Sequence, residues 1–361
     1  MTKWQAAYAE AKSRGAEAAV FFDEIHRLYV TSFHSTDGIA VCTASECALF
    51  LDFRYYEGAG NALKAGLLQD NVQVYPANDG LNKALLEYLT DNGISRVAID
   101  TTVVTVDGLE KLNRLFDGNV GFVHVPGLCA EARKIKTPRE IETIQAAQAI
   151  TDKAFEHILG FIRHGVTEIE VAAELEYFMK RNGADGTAFD TIAVSGRNSS
   201  LPHGVPTSDP LSENAFFTMD FGAKYQGYCS DMTRTVVLGK ADAEMRRIYN
   251  TVLEAQRLAI AKVKAGVPCK EVDAAARDYI YEMGYVGKFG HSTGHSLGLE
   301  IHEAPSFSMK SEEVLQSGMI MTVEPGIYIE GFGGVRIEDM VLVTDDGCIN
   351  LTASPKELIE L

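Results

Sequence analysis

Two stretches of this chain set single carboxylates on strongly apolar strands, and that pattern limits the folds open to it. The first is Phe217-Thr218-Met219-Asp220-Phe221-Gly222-Ala223, running on to Gly227-Tyr228-Cys229-Ser230-Asp231-Met232-Thr233-Arg234-Thr235. It reads as two apolar strands joined by a turn at Lys224-Tyr225-Gln226-Gly227. Asp220 falls among Phe217, Met219 and Phe221, where an acid must be paired, hydrogen-bonded or bound to a cation. The second stretch runs from Met319 through Glu324-Pro325-Gly326 to Ile329, turns at Gly331-Phe332-Gly333-Gly334, and returns from Val335 through Glu338 to Val343. Each stretch is strand, turn, strand, with one acid on each arm. Asp220 and Glu324 lie 104 residues apart, and Asp231 and Glu338 lie 107 apart.

Two helical segments precede each hairpin. Before the first, Thr137-Pro138-Arg139-Glu140 combines an N-cap, a proline at the first helical position and a capping-box glutamate, and Gly165 stops the helix near His164. Thr167-Glu168-Ile169-Glu170 repeats the capping pattern, with a stop at Asn182-Gly183. Before the second hairpin, helices are expected over about 242–265 and 270–283, followed by a Gly- and His-rich loop or irregular strand over 289–303. The repetition predicts a pseudo-twofold pair of helix-helix-hairpin units, with the four acids converging where the halves meet.

Residues 1–127 read as a separate α/β domain. Helix 4–14 leads to a strand at 18–22, and further strands are expected at 27–30, 38–42, 48–52, 72–75 and 96–100. Helices are expected over 55–65, 81–92 and 105–116, which suggests a mixed sheet covered by helices. The texture changes at Pro126-Gly127, so the second, α+β domain is placed at 128–361.

The totals exclude several functions. With 33 basic against 50 acidic residues, the net charge of -17 argues against a nucleic-acid partner and against docking on an anionic membrane. The N-terminus opens an amphipathic helix instead of a signal peptide, and no apolar run reaches the ~20 residues that span a bilayer. A soluble cytoplasmic protein is expected. Six cysteines are scattered without a CxxC, which predicts reduced, mostly buried thiols.

Four carboxylates on apolar strands are too costly to leave unpaired. Arg234 and Arg336 could neutralise one or two by ion pairing; divalent cations would account for all four. Three of the nine histidines, His291, His295 and His302, fall within twelve residues, while His203 stands alone in Leu201-Pro202-His203-Gly204. The HxxxH spacing of His291 and His295 lacks the acid of a helical zinc motif, since Ser292 occupies that place. An oxygen-rich set with imidazole suits a pair of Mn, Co or Zn ions. Two such ions can bridge a water and leave it as hydroxide near neutral pH, which points to hydrolysis of a carbonyl or phosphoryl bond.

At these residues the chain resembles the pita-bread metallopeptidases, which include proline dipeptidase (prolidase), aminopeptidase P and methionine aminopeptidase. The resemblance covers most of residues 130–361. It implies metal ligands at Asp220 in Met-Asp-Phe-Gly-Ala, Asp231 in Ser-Asp-Met-Thr-Arg-Thr, His295 in Gly-His-Ser-Leu-Gly, Glu324 in Val-Glu-Pro-Gly-Ile-Tyr and Glu338 in Val-Arg-Ile-Glu-Asp. By the resemblance, Asp231 and Glu338 bridge two ions, Asp220 completes one shell, and His295 and Glu324 complete the other. It further implies that Glu324 is general base to a metal-bridging hydroxide, that His203, His291 and His302 assist at the leaving group and intermediate, and that Arg336 holds the carboxylates. Tyr328 also matches a frequent family position.

The first domain narrows the choice. Asp52-Phe53-Arg54-Tyr55 resembles the Asp-x-Arg-Tyr signature of prolidases, aminopeptidases P and creatinases, and 132–141 resembles their Arg-x-x-Lys-(Ser/Thr)-x-x-Glu segment. Methionine aminopeptidases generally lack this domain, and creatinases lack the metal set. The chain therefore looks most like a compact prolidase: a manganese-dependent homodimer (cobalt and zinc also suit the ligands) acting on Xaa-Pro dipeptides, its first domain making the dimer and limiting access to short peptides. Two other readings are kept open. One is an aminopeptidase P that takes longer Xaa-Pro peptides. The other is a metal-free pita-bread module that only binds peptides or proteins, which would predict broken ligands.

Overall fold

Three short, fully buried apolar runs, Ala18–Phe21, Ile39–Cys42 and Cys47–Leu51, build the middle of the first sheet. In a computed structural model that describes residues 1–361, the chain divides into two units, Met1–Arg133 and Lys134–Leu361. The first unit contains α1 (Lys3–Ser13), β1 (Ala18–Phe21), α2 (Glu24–Thr31), β2 (Ile39–Cys42), β3 (Cys47–Leu51), α3 (Phe53–Lys64), β4 (Val72–Pro76), α4 (Leu81–Asp91), β5 (Arg96–Ile99), α5 (Val106–Phe116) and β6 (Gly121–His124). The strand order is β4-β3-β2-β1-β5-β6. β2 runs antiparallel to both neighbours, and the β3–β4, β1–β5 and β5–β6 pairs are parallel, so the sheet is mixed as expected.

Two readings of this unit are corrected. Residues 27–30, expected as a strand, lie in helix α2. The Asp23 carboxylate caps that helix by accepting from the His26 N–H, and Ser32 closes it in the left-handed region at φ 64°. The four residues Arg27-Leu28-Tyr29-Val30 are too few to separate the two periods, and here the caps outside the run decide. Strand β6 was not anticipated: its end residues, Gly121 and His124, are exposed, so it carries little apolar signal.

A short helix, α6 (Ala130–Lys134), lies where the chain passes between the units. The second unit continues with α7 (Pro138–Phe161), α8 (Glu168–Arg181), β7 (Gly186–Thr187), β8 (Ile192–Ser195), β9 (Ala215–Phe221), β10 (Ala223–Tyr225), β11 (Tyr228–Cys229) and β12 (Met232–Leu238). It then forms α9 (Ala243–Lys262), α10 (Cys269–Glu282), β13 (Gly294–Ser296), β14 (Glu303–Phe307), β15 (Ile320–Val323), β16 (Gly326–Ile329), β17 (Gly333–Arg336), β18 (Asp339–Val343) and β19 (Cys348–Asn350). Both capping boxes predicted for α7 and α8 are formed. The helix pairs bury separate cores, α7 and α8 with Phe217, Met219 and Phe221, α9 and α10 with Met321, Val323 and Val341. This is the duplicated helix-helix-hairpin architecture read from the sequence.

The hairpins are broken in matched places. β9 pairs with β12 from Ala215↔Leu238 to Phe221↔Met232, and pairing resumes between β10 and β11 at Lys224↔Cys229. β15 pairs with β18 as far as Val323↔Asp339, and pairing resumes between β16 and β17 at Gly326↔Arg336. Each predicted arm is thus two strands in different sheets. The gap in the first hairpin holds Asp231; the gap in the second holds Glu324 and Glu338. Such breaks re-aim side chains that a regular pleat would send elsewhere. The hairpins meet where Glu338 N–H donates to Thr233 O at 3.1 Å and the Thr235 hydroxyl donates to Arg336 O at 3.0 Å.

Candidate metal centre

Strand alternation places Asp220. Phe217, Met219 and Phe221 point into the core, so Asp220 and Thr218 face the other way. The apolar neighbours that make Asp220 look misplaced in the sequence anchor its strand from behind. On the open side, Arg336 Nη2 donates to Asp220 Oδ2 at 2.6 Å. Asp220 Oδ1 is buried with no hydrogen-bond partner.

Of the two readings of the stretch around His295, loop or irregular strand, the structure takes the second. His295 lies on β13, between β14 and β15, beside a register shift at His295/Ser296. Its Nδ1 lies 3.1 Å from Ser296 O, so that nitrogen carries the proton and Nε2 is left to face the acids. Nε2 is 3.4 Å from Glu324 Oε1 and 3.6 Å from Asp231 Oδ2. Asp231, His295 and Glu338 each turn one donor atom to a common point, all within 4.8 Å of one another.

The acids repel one another across this point. Burial and the charges of Glu338, Asp220 and Glu324 push the Asp231 carboxyl well above its usual range. Burial, Glu324 and Asp220 do the same to Glu338. Burial raises Glu324 to about 7, against the opposing pull of Arg336. Burial lowers His295, which favours the neutral, ligating imidazole. Crowded carboxylates, a neutral imidazole and an orphaned carboxylate oxygen are what a divalent cation relieves, so the residues present fit such an ion.

Around the acids lies a layer of donors. The Thr233 hydroxyl donates to Glu338 Oε2 at 2.7 Å and accepts from Arg336 Nε at 2.9 Å. The Thr322 hydroxyl donates to Glu324 Oε1 at 3.2 Å and accepts from His295 N–H at 3.0 Å. Arg336 Nη1 donates to the Tyr328 hydroxyl at 2.8 Å, and that hydroxyl lies 2.8 Å from His291 Nε2. His291 Nδ1 faces Ser292 O at 2.8 Å, which makes Nδ1 the protonated nitrogen and Tyr328 the donor to Nε2. Burial holds the His291 pKa down to about 4, so the ring is neutral at pH 7.

The remaining predicted residues sit at the rim. The exposed His302 ring packs edge-on against His295 at 4.5 Å between centroids. His203 lies in an exposed turn. Arg234, considered as a partner of the four acids, instead pairs with Asp339 at 2.7 Å. One arginine of the two therefore serves the cluster.

The chain matches metallopeptidase family M24 over residues 142–345 and the Creatinase/Prolidase N-terminal domain over residues 3–135. The chain belongs to metallopeptidase family M24. This M24 peptidase is 48% identical over 238 residues to a Xaa-Pro dipeptidase of Pyrococcus furiosus, covering 66% of this chain and 68% of that one. It superposes on the Xaa-Pro dipeptidase from Bacillus anthracis with a TM-score of 0.93 at 41% identity, over 99% of each chain. An X-Pro aminopeptidase from Thermotoga maritima gives a TM-score of 0.90 at 34% identity, over 96% of this chain and 98% of that one.

Sequence reasoning missed Thr233 and Thr322 in this M24 site. A signal for each was present. Thr233 stands opposite Asp220 in the β9–β12 ladder, and Thr322 is two residues before Glu324. Neither could be assigned without knowing where the pairing breaks. No helix of the chain is long and apolar enough to cross a membrane.

Proposed function

We propose that this M24 peptidase hydrolyses the peptide bond before proline, acting on Xaa-Pro dipeptides. The observation that carries the reading is its likeness, over nearly the whole chain, to a solved Xaa-Pro dipeptidase. Asp220, Asp231, His295, Glu324 and Glu338 would hold two divalent ions, manganese first and cobalt or zinc as alternatives. Bound there, such ions supply Lewis acidity and lower the pKa of water.

The chain's own groups divide the rest of the work. Glu324 accepts the proton of the attacking water; its raised carboxyl pKa suits a group that must take and return a proton near neutrality. Arg336 and Thr233 hold Asp220 and Glu338 in place. His291, kept neutral and in one tautomer by Ser292 O and the Tyr328 hydroxyl, assists at the intermediate through that hydroxyl, and His203 and His302 serve proton transfer at the rim. A prolyl amide has no N–H to pair, so recognition rests on ring shape and the terminal carboxylate. The domain boundary at 127/128, dimerisation and restriction of access through the first domain, and a cytoplasmic location belong to the same proposal.

The test is hydrolysis of Gly-Pro and Leu-Pro by purified protein supplied with Mn, Co or Zn. Cleavage of these with Gly-Pro-Ala left intact is expected. The likeness to an X-Pro aminopeptidase supports a second reading, in which the N-terminal residue of Gly-Pro-Ala is released. No hydrolysis of either with any of the three ions would sink both.

A further inference from the structure

The Lys136–Glu140 segment lies outside the acid cluster, yet it contacts the strands that carry the cluster. Lys136 is 5% exposed and Glu140 7%, so both charged groups are buried. Lys136 Nζ donates to Ser296 Oγ at 3.0 Å and to Glu303 Oε2 at 3.2 Å. Ser296 follows His295, and Glu303 follows His302. Lys136 N–H donates to Gly318 O at 2.9 Å, just before the strand that leads to Glu324. Glu140 Oε1 accepts from the Tyr228 hydroxyl at 2.8 Å, three residues before Asp231, while Oε2 accepts the Thr137 N–H at 2.9 Å. Cys229 N–H in turn donates to Gly298 O at 2.7 Å. A Cβ at Gly298 would lie 2.8 Å from Glu303 Oε1, so glycine there leaves the space the carboxylate occupies.

We propose that Lys136 and Glu140 are positioning residues for the metal centre: one five-residue segment clamps β13, which carries His295, together with β11 and the approach to β15, which lead into Asp231 and Glu324. The inference rests on the metal-centre reading above. Its physical basis is that a buried ammonium and a buried carboxylate fix their partners tightly, because releasing either leaves an uncompensated charge. The ligand atoms converge from separate strands within a few ångströms. A shift of one strand by a fraction of an ångström therefore changes the donor geometry without breaking the fold. Outer groups of this kind are worth roughly 10–100-fold in metal affinity.

The experiment compares Lys136→Met, which keeps the aliphatic stem, and Tyr228→Phe, which removes one hydroxyl, with Val252→Ala, a core truncation in α9. Measured for each are Tm, Mn2+ affinity by calorimetry, the visible absorption of the Co2+-loaded protein, and amide exchange of His295 and Asp231 in the metal-free state. Expected are an affinity loss of at least about tenfold for Lys136→Met, a smaller loss for Tyr228→Phe, an altered Co2+ spectrum, and faster exchange at the two ligand amides. Val252→Ala should lower Tm with affinity and spectrum unchanged. If the two variants lose only Tm, as Val252→Ala does, the positioning role is overturned. If wild type binds no Mn2+ or Co2+, the metal reading fails on its own; ligand-amide exchange unchanged in both variants would then overturn the clamp as well, and faster exchange would uphold it.

Discussion

Arg336 binds Asp220 through one carboxylate oxygen, Nη2 to Oδ2 at 2.6 Å, and leaves the other, Oδ1, buried without a partner. An ion pair built only for stability would satisfy both oxygens. Here the arginine fixes the orientation of an acid whose free oxygen remains available for coordination.

Replacing Arg336 by methionine should therefore cost more than one salt bridge. It removes the donors to Asp220, Thr233 and Tyr328 together. The expected outcome is a fall in kcat/KM for Gly-Pro of at least about 100-fold and a Mn2+ affinity weaker by roughly 10–100-fold. Steady-state kinetics and calorimetric titration check it. Unchanged affinity would show that Asp220 needs no tether.

Asp231→Asn separates stability from function. In the metal-free protein Asp231 is buried and faces the charges of Glu338, Asp220 and Glu324. Removing its charge should raise the metal-free Tm at pH 8, by the equivalent of about 1–3 kcal/mol. The same variant should bind less than the wild-type complement of metal and lose nearly all peptidase activity. Thermal melts with and without chelator, together with elemental analysis, test both halves.

The metal-free protein should lose stability as pH rises. Glu324 has a folded pKa of about 7 against an ordinary 4.5. A raised folded pKa contributes stability fully below the unfolded value, and that contribution is lost as pH climbs through the folded one. Asp231 and Glu338 are shifted in the same direction. Chelated protein should thus melt lower at pH 8 than at pH 5, by on the order of 1–3 kcal/mol from Glu324 alone. Adding Mn2+ should reverse the trend and release protons. A flat chelated profile from pH 5 to 8 would contradict the crowded-acid picture.

Tyr328→Phe should act on turnover more than on folding. It deletes the hydroxyl that donates to His291 Nε2 and accepts from Arg336. His291 is then free to flip or change tautomer. A kcat reduction of about 10–100-fold is expected, with Tm changed by the equivalent of about 1 kcal/mol. An equal loss in Tyr328→Phe and His291→Ala, with no further loss in the double variant, would show that the two act as a unit.

Much of the architecture was legible because its signals are local. The capping boxes at Thr137 and Thr167 depend on three or four neighbouring residues, and both form as read. The strand alternation around Met219 and the repeat of strand, turn and strand needed only the order of apolar and polar letters. Locality also explains the errors. Residues 27–30 are too few to separate a strand from a helix, and Asp23, which decides, lies outside the run. The stretch over 289–303 leaves loop and irregular strand open because its glycines and histidines have low strand propensity, and β13 forms because its neighbours β14 and β15 hold it.

The amino-acid order by itself determined the doubled hairpins, the acids they carry and the need for something to neutralise them, since burial of charge is costly in any fold. Tertiary structure alone decided where the pairing breaks. Those breaks turn Asp231, Glu324 and Glu338 out of the pleat, and they follow from how strands switch between sheets. It also decided that Arg336 serves Asp220 while Arg234 serves Asp339. Charge and burial pattern alone do not separate the two arginines, although the family resemblance points to Arg336; which acid each one meets is set by packing between segments about a hundred residues apart.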